Sequence, residues 1–520
     1  MRRATLPLLW LLIATPLLCG AERPVGEELP LAIHVLNRAA YGPTPALIEQ
    51  LRETGARTWI EKQLAPHLLD DSLTAARLRK YPTISLSSAA LWSDYYQPVL
   101  NARRERKKAA AAEASADPVA QAPAMAGAPK SRSSRKLRPQ QVIQELSMAK
   151  LERAIHSDRQ LEEIMVDFWL NHFNVFAGKS FERVLVTGYE RDTIRPHAFG
   201  KFEELLLATA RSPAMLVYLD NARSSAALEN RPAGTRARGM QQKQSTGLNE
   251  NYARELLELH TLGVGGGYTQ KDVSELARAL TGWSLDRNSS GVQFRFRPLL
   301  HDTKPKKILT WELDGTGGVK EGETLIRKLA VHPSTARFIS RKLAERFVSD
   351  TPPQALVDRV AKRFLETDGD IRETLRALLL SDEFLSLQYA GKMVKTPLEY
   401  ITSAVRASGQ SSIDLRTALE SLRQMGQQLY FAQAPTGYSE SAEDWVTSSG
   451  LVERLNFAIA LAARTPQETI APNEIALRIL GVPLSAKSRE TIEKKVSTAA
   501  IGDKNLALAL VLGSPEFQRQ

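Results

Sequence analysis

The chain has 520 residues, with 69 Lys and Arg against 58 Asp and Glu for a formal charge of +11, and it carries one cysteine. A single cysteine excludes an internal disulfide framework and a thiolate cage for metal, while the length suffices for two or three domains or one large helical body. The positive charge is concentrated in Arg103 to Arg138 (ten basic, three acidic) and Arg223 to Lys243 (five basic, one acidic), and no folded basic face is left to bind nucleic acid.

The chain opens Met1-Arg-Arg, continues with an apolar run from Leu6 to Leu18, and reaches Cys19-Gly-Ala21 before Glu22. That is the layout of a secretory leader, residues 1–21, with cleavage expected after Ala21 and a periplasmic or secreted destination. A lipoprotein based on Cys19 is disfavoured by bulky Leu18 in front of it. No later run is long and apolar enough for a membrane span.

Residues 22–101 read as an N-terminal helical part. "LAIHVLNRAAYG" and "PALIEQLRETGARTWIEKQL" show helical spacing on either side of the turn Gly42-Pro43-Thr44. Residues 102–139 are rich in Ala, Pro, Ser and basic side chains and offer little to bury. They read as a disordered linker or surface excursion.

Helical spacing then dominates a main domain, 140–465, and a C-terminal part, 466–520. Clear cases are "QVIQELSMAKLERAI", "LEEIMVDFWLNHF", "FGKFEELLLATA", "DVSELARALTGW", "TARFISRKLAERFV" and "LVERLNFAIALAA". Thr269 with Asp272 and Asp370 with Glu373 have capping-box spacing, and Gly282 fits a helix stop. Residues 222–247 read as a flexible insertion. Val292 to Arg297 alternates apolar and basic residues and is expected to pair with Lys307 to Leu313, a hairpin insertion over 291–313. The expected fold class is mainly α, a large multi-helix body with one small β-hairpin insertion.

Four short stretches hold side chains capable of chemistry. In "NENYARELLELH", Asn251, Arg254, Glu255 and Glu258 share one helix face while Tyr252, Leu256 and Leu259 share another. Arg254 and Glu258 have the spacing of a plain surface pair, but the density of polar groups suggests a face turned into an internal polar cluster. "FWLNHFN" sets Asn171, His172 and Asn174 among aromatic residues. "YLDN" supplies Asp220 and Asn221, and His301-Asp302 lies between the two expected strands. Two assignments follow. His172, His301 and Asp302 could hold a divalent metal with an open position for water. Alternatively His172, Glu255, Glu258 and Asp220 could act as acid and base, with Asn171, Asn221, Asn251 and Arg254 contacting substrate. There is no His-Glu-x-x-His, Gly-x-Ser-x-Gly, Walker loop or dinucleotide fingerprint.

"HVLNRAAYGPTP", "FWLNHFNVF", "MLVYLDN", "NENYARELLELHTLGVGGGYTQKDVSELARALTGW", "HDTKPKKIL", "TARFISRKLAERFV" and "KTPLEYITSAVRA" together resemble the domain of unknown function 1800, a family of large secreted bacterial proteins. The resemblance runs from about Leu31 to Ala462. It implies that Asn171, His172, Asp220, Asn221, Asn251, Arg254, Glu255, Glu258, His301 and Asp302 occupy motif positions. It implies no established activity. It does suggest a partner, a secreted sulfatase-like protein encoded nearby, and work on envelope or extracellular polysaccharide. Leu170 stands where many members have a second histidine, which weakens a metal site in that segment. The long stretch from Ala222 to Gly247 is also a departure. Two readings remain: a hydrolase with a His/carboxylate site acting on such a polymer, or a non-catalytic assembly or carbohydrate-binding partner whose polar motifs are structural. The two basic stretches are expected to be solvated, with contact to anionic glycan or lipid headgroups as the alternative reading.

Overall fold

The computed structural model describes residues 28–114, 138–230, 247–288, 291–466, 470–498 and 505–520. The expected leader, 1–21, lies outside the described residues, as do 115–137 of the expected linker and 231–246 of the expected insertion. The body is mainly helical, with two small antiparallel two-stranded sheets. No described helix is long and apolar enough to cross a membrane.

At the centre lies the helix Pro139–His156, buried on most of its circumference. A helix enclosed this way must give each charged residue a partner. Lys150 pairs with Asp167, and Glu152 takes Lys80 and the Tyr81 hydroxyl. Against it pack Gln160–His172, Glu182–Gly188 and Pro397–Ala407. Pro397–Ala407 starts with a complete capping box, Thr396 with Glu399, and is buried along almost its whole length. Its Arg406 donates to the Gly42 and Ile155 carbonyls, at 3.0 and 2.6 Å, which ties the N-terminal turn to the core.

The N-terminal part is built from Glu28–Ala39, Pro45–Thr54 and Ala56–Gln63. The second expected helix is thus two, broken at Gly55, where φ is 82°. Residues 97–114 form one helix through the first part of the expected linker, exposed from Arg103 to Ala111, because its Ala, Lys and Arg favour helix even with little to bury.

Thr269 and Asp272 close the capping box read from their spacing. Asp370 caps its helix, but Glu373 turns instead to Arg363 and Arg376, so only half of that box forms. Gly282 has φ of 80°, and a Cβ there would sit 2.7 Å from the Arg297 carbonyl oxygen. The stop is real, and a strand follows it directly.

Strand pairing differs from expectation. Gly291–Phe296 pairs with Trp283–Asn288, upstream of it, with Trp283 opposite Phe296 and Leu285 opposite Phe294. Lys306–Ile308 pairs with Trp311–Leu313 in a separate tight hairpin. Sequence neighbours pair first because short loops cost little to close. The chain's far end also reaches the core: Met393 and Gln520 exchange two backbone hydrogen bonds, at 3.2 and 2.9 Å.

Candidate functional site

The helix Asn251–Glu258 buries Tyr252, Ala253, Leu256 and Leu257 and leaves its polar face partly exposed rather than turned into an internal cluster. Arg254 pairs with Glu250 at 3.5 Å and donates to Gln270 at 2.8 Å, not to Glu258. Glu258 accepts from the Tyr268 hydroxyl at 3.5 Å. Burial and the neighbouring Glu258 raise the Glu255 carboxyl above its ordinary value. Asn251 sits exposed at the helix start, where its backbone N–H donates to Asn249 Oδ1. Asp220, in left-handed backbone with φ of 60°, pairs with Lys179 at 2.7 Å. Asn221 is buried, and its amide donates to the carbonyls of Leu280 and Trp283.

His172 lies in an apolar nest of Phe168, Trp169, Phe173 and Phe338, with ring centroids 4.5 to 6.2 Å away. Its Nε2 meets the His260 carbonyl oxygen at 3.2 Å. Burial holds its pKa well below the ordinary imidazole value and brings His260 down to about 3, so both rings are neutral. His301 and Asp302 belong to another cluster. Asp302 receives a two-pronged grip from Arg278, at 3.0 and 2.9 Å, and a third bond from Asn230. His301 Nδ1 donates to the Thr281 carbonyl at 2.8 Å, and its Nε2 lies 3.4 Å from Glu321, which also holds Lys306 at 2.7 Å. This network clamps the helices Gln270–Ala279 and Val319–Ala330 to the strands between them.

Among the described residues no three His, Cys, Asp or Glu side chains gather as a metal would require. The expected trio His172, His301 and Asp302 is therefore not brought together. The aromatic nest takes the first, and the Arg278 fork takes the last.

The polar side chains that do converge on open space lie on the other face of the helix Gln160–His172. A cavity of about 50 Å3 is lined there by Lys150, Asp167, Asn171, Asn174, Arg346 and Glu399, and by Tyr430, Tyr438 and Glu440 of one loop. Glu163, Asp167 and Asn171 form a stripe at spacings of four, and Asn174 follows just past the end of the helix. Glu163 anchors the stripe through paired bonds from Arg195, at 2.6 and 2.9 Å. Arg195 also meets Glu190, which accepts from the Tyr430 hydroxyl at 2.6 Å. Lys150 pairs with Asp167 and lies 5.2 Å over the Tyr430 ring.

Asn171 and Asn174 hold the loop in place. Asn171 exchanges bonds with the Tyr438 backbone, at 2.8 and 2.7 Å, and donates to Glu440 at 3.3 Å. Asn174 donates to the carbonyls of Ala432 and Ala434. Gly437, with φ of 75°, is required by this approach, since a Cβ would fall 2.3 Å from Asn171 Oδ1.

Two carboxyls on the wall are driven apart. Glu399 is held below its ordinary value despite its burial, by Arg346 at 2.7 Å and by bonds from Gln520 and Thr396. Glu440, partly exposed to the cavity, is pushed up to about 7 by burial, against the pull of Arg346 and with Glu399 and Asp167 adding to the rise. Near neutral pH, Glu440 can therefore both give and take a proton.

Residues 34–519 match the family described as Protein of unknown function (DUF1800). The chain belongs to that family. No curated protein and no solved structure matches it. In this DUF1800 chain, Asn171 alone of the residues singled out above for catalysis, substrate contact or metal lines the cavity, joined by Asn174 of the same motif. Asp167, Lys150, Arg346, Glu399, Tyr438 and Glu440 are not among those candidates. A polar stripe on an otherwise apolar helix was the available signal for Asp167. Nothing in "APTGYSE" marks Glu440, whose altered acidity comes from residues remote in sequence.

Proposed function

We propose that this protein is a hydrolase whose acid–base chemistry is carried by carboxylates around the cavity, with envelope or extracellular polysaccharide as its substrate class. The observation that carries this reading is the convergence of Asp167, Glu399 and Glu440 on one cavity, the first two paired with Lys150 and Arg346 and the third pushed up to about 7 by burial. Two carboxyls with unlike protonation are what cleavage of a glycosidic bond requires. Glu440 gives its proton to the leaving oxygen. Asp167, oriented by Lys150, takes a proton from water, whose oxygen bonds to the anomeric carbon as the glycosidic bond breaks. At about 50 Å3 the cavity admits roughly three to five waters and no sugar ring, so the scissile bond would lie at its mouth. The leader expected at the start of the chain would deliver the protein to the periplasm or outside, where such polymers lie. The sulfatase-like partner suggested by the family resemblance would act on the same material.

The test is release of reducing ends from a panel of envelope and extracellular polysaccharides. Glu440→Gln should lower the rate at least about a hundredfold while the fold is kept. Equal rates in wild type and variant would remove Glu440 from the mechanism. The second reading, a non-catalytic assembly or carbohydrate-binding partner, draws support from the motif residues that serve as structural ties, such as Asn221 and Asp302. Glycan binding without turnover of any polymer would favour it.

A further inference from the structure

A second cavity, about 400 Å3, lies beside the first, in a groove between the helices Pro139–His156 and Leu415–Gln424. Its walls follow helical spacing. Gln140, Ile143, Gln144 and Ser147 come from one helix, and Arg416, Leu419, Glu420 and Arg423 from the other. Arg183 and Phe431 close one end, with the guanidinium 5.9 Å from the ring centroid.

The charge in this groove is unbalanced. Arg423 pairs with Glu420, whereas the guanidiniums of Arg183 and Arg416 have no carboxylate partner among the described residues. The groove is of the size that accepts one or two sugar rings, and glutamine side chains together with Phe431 on its walls suit hydroxyl-rich ligands. Two unpaired guanidiniums suit an oxyanion, which each can grip with two parallel N–H donors.

The two cavities are continuous in their construction. Leu429 lines both, and Tyr438, on the wall of the first, donates its hydroxyl at 2.6 Å to the carbonyl of Gln428, on the wall of the second. We propose that the groove is a subsite for an anionic sugar, one bearing a carboxylate or sulfate, in a chain whose neighbouring unit reaches the Glu440 cavity. This rests on the hydrolase reading for its second half only, since the groove can hold an anionic saccharide whether or not a bond is cut.

The test measures binding by calorimetry with three probes: a galacturonate hexamer, a sulfated hexasaccharide and a neutral glucose hexamer. Wild type, Glu440→Gln and Arg183→Gln/Arg416→Gln are compared. The expected result is binding of an anionic probe, weakened on adding salt, kept in Glu440→Gln and reduced by roughly tenfold or more in the double arginine variant. Whichever anionic probe binds tells carboxylate from sulfate. Equal binding of neutral and anionic probes, no binding of any, or unchanged binding in a folded arginine variant would overturn the subsite. Cleavage of a neutral polymer that depends on Glu440 but not on the arginines would also overturn it, and would leave the hydrolase reading standing. Anionic binding lost in the arginine variant, with no Glu440-dependent cleavage, would do the reverse.

Discussion

On one side of the helix Gln160–His172, the His172 ring is enclosed by Phe168, Trp169, Phe173 and Phe338; on the other, Asp167 and Asn171 face a polar cavity. Asn171 and His172 are adjacent in sequence yet about 100° apart around the helix axis. The enclosed side makes an imidazole neutral and inert. On the cavity side, burial instead pushes the Glu440 carboxyl up to about 7. A histidine in a motif thus says little about chemistry until its face is known.

The two sides should also answer pH in opposite directions. The Glu440 pKa is raised from 4.5 to about 7, so its stabilisation is complete below about pH 4.5 and is lost as pH climbs through 7. His172 and His260 are depressed from 6.5, so theirs is complete above about pH 6.5 and is lost on acidification. Below pH 6.5 two imidazoles act against one carboxyl, and a net loss of stability is expected.

The sharpest test of the contrast is Glu440→Gln. Beyond its effect on turnover, it should remove the alkaline loss and leave the protein more stable than wild type at pH 8 by at most about 3 kcal/mol, read from denaturation midpoints at pH 5 and 8. An unchanged difference between those midpoints would show that Glu440 does not titrate in this range. His172→Ala comes next: emptying the aromatic nest should cost about 2 to 3 kcal/mol by urea denaturation, with activity per folded molecule unchanged. A stable variant that has lost activity would return His172 to the site.

Asn171→Ala should cost about 1 to 2 kcal/mol by releasing the loop, and should lower turnover because Glu440 and Tyr438 lose their register. Full activity would mean that the loop holds its place without the amide. The smallest effect belongs to Arg254→Ala, within about 0.5 kcal/mol in the same denaturation assay, since its partners Glu250 and Gln270 are on the surface. A larger loss there would mean that this face is covered in the working protein.

The helical character, the Thr269 cap and the Gly282 stop were legible because each depends on residues within a few positions of one another. Strand pairing was not, because Trp283–Asn288 lay concealed behind "RALTGW", whose first half is helix, and Val292–Phe296 was matched to the wrong neighbour. The cavity was least legible. Lys150, Asp167, Arg346, Glu399 and Glu440 approach from four helices and a loop, and spacing along a chain carries no record of that convergence. Asn171 was found for its motif, and its work in binding the Tyr438 backbone became visible only with the loop in place.

Gln520, which donates to Glu399 at 3.0 Å and pairs with the backbone of Met393, gives the cavity an order in time. A chain made from its N-terminus displays Lys150 and Asp167 long before Glu440 exists, and Glu399 gains its full set of partners only when Gln520 has emerged. Until then the growing polypeptide carries Lys150, Asp167 and Glu399 without the Gln520 amide that helps hold the Glu399 carboxyl below its ordinary value.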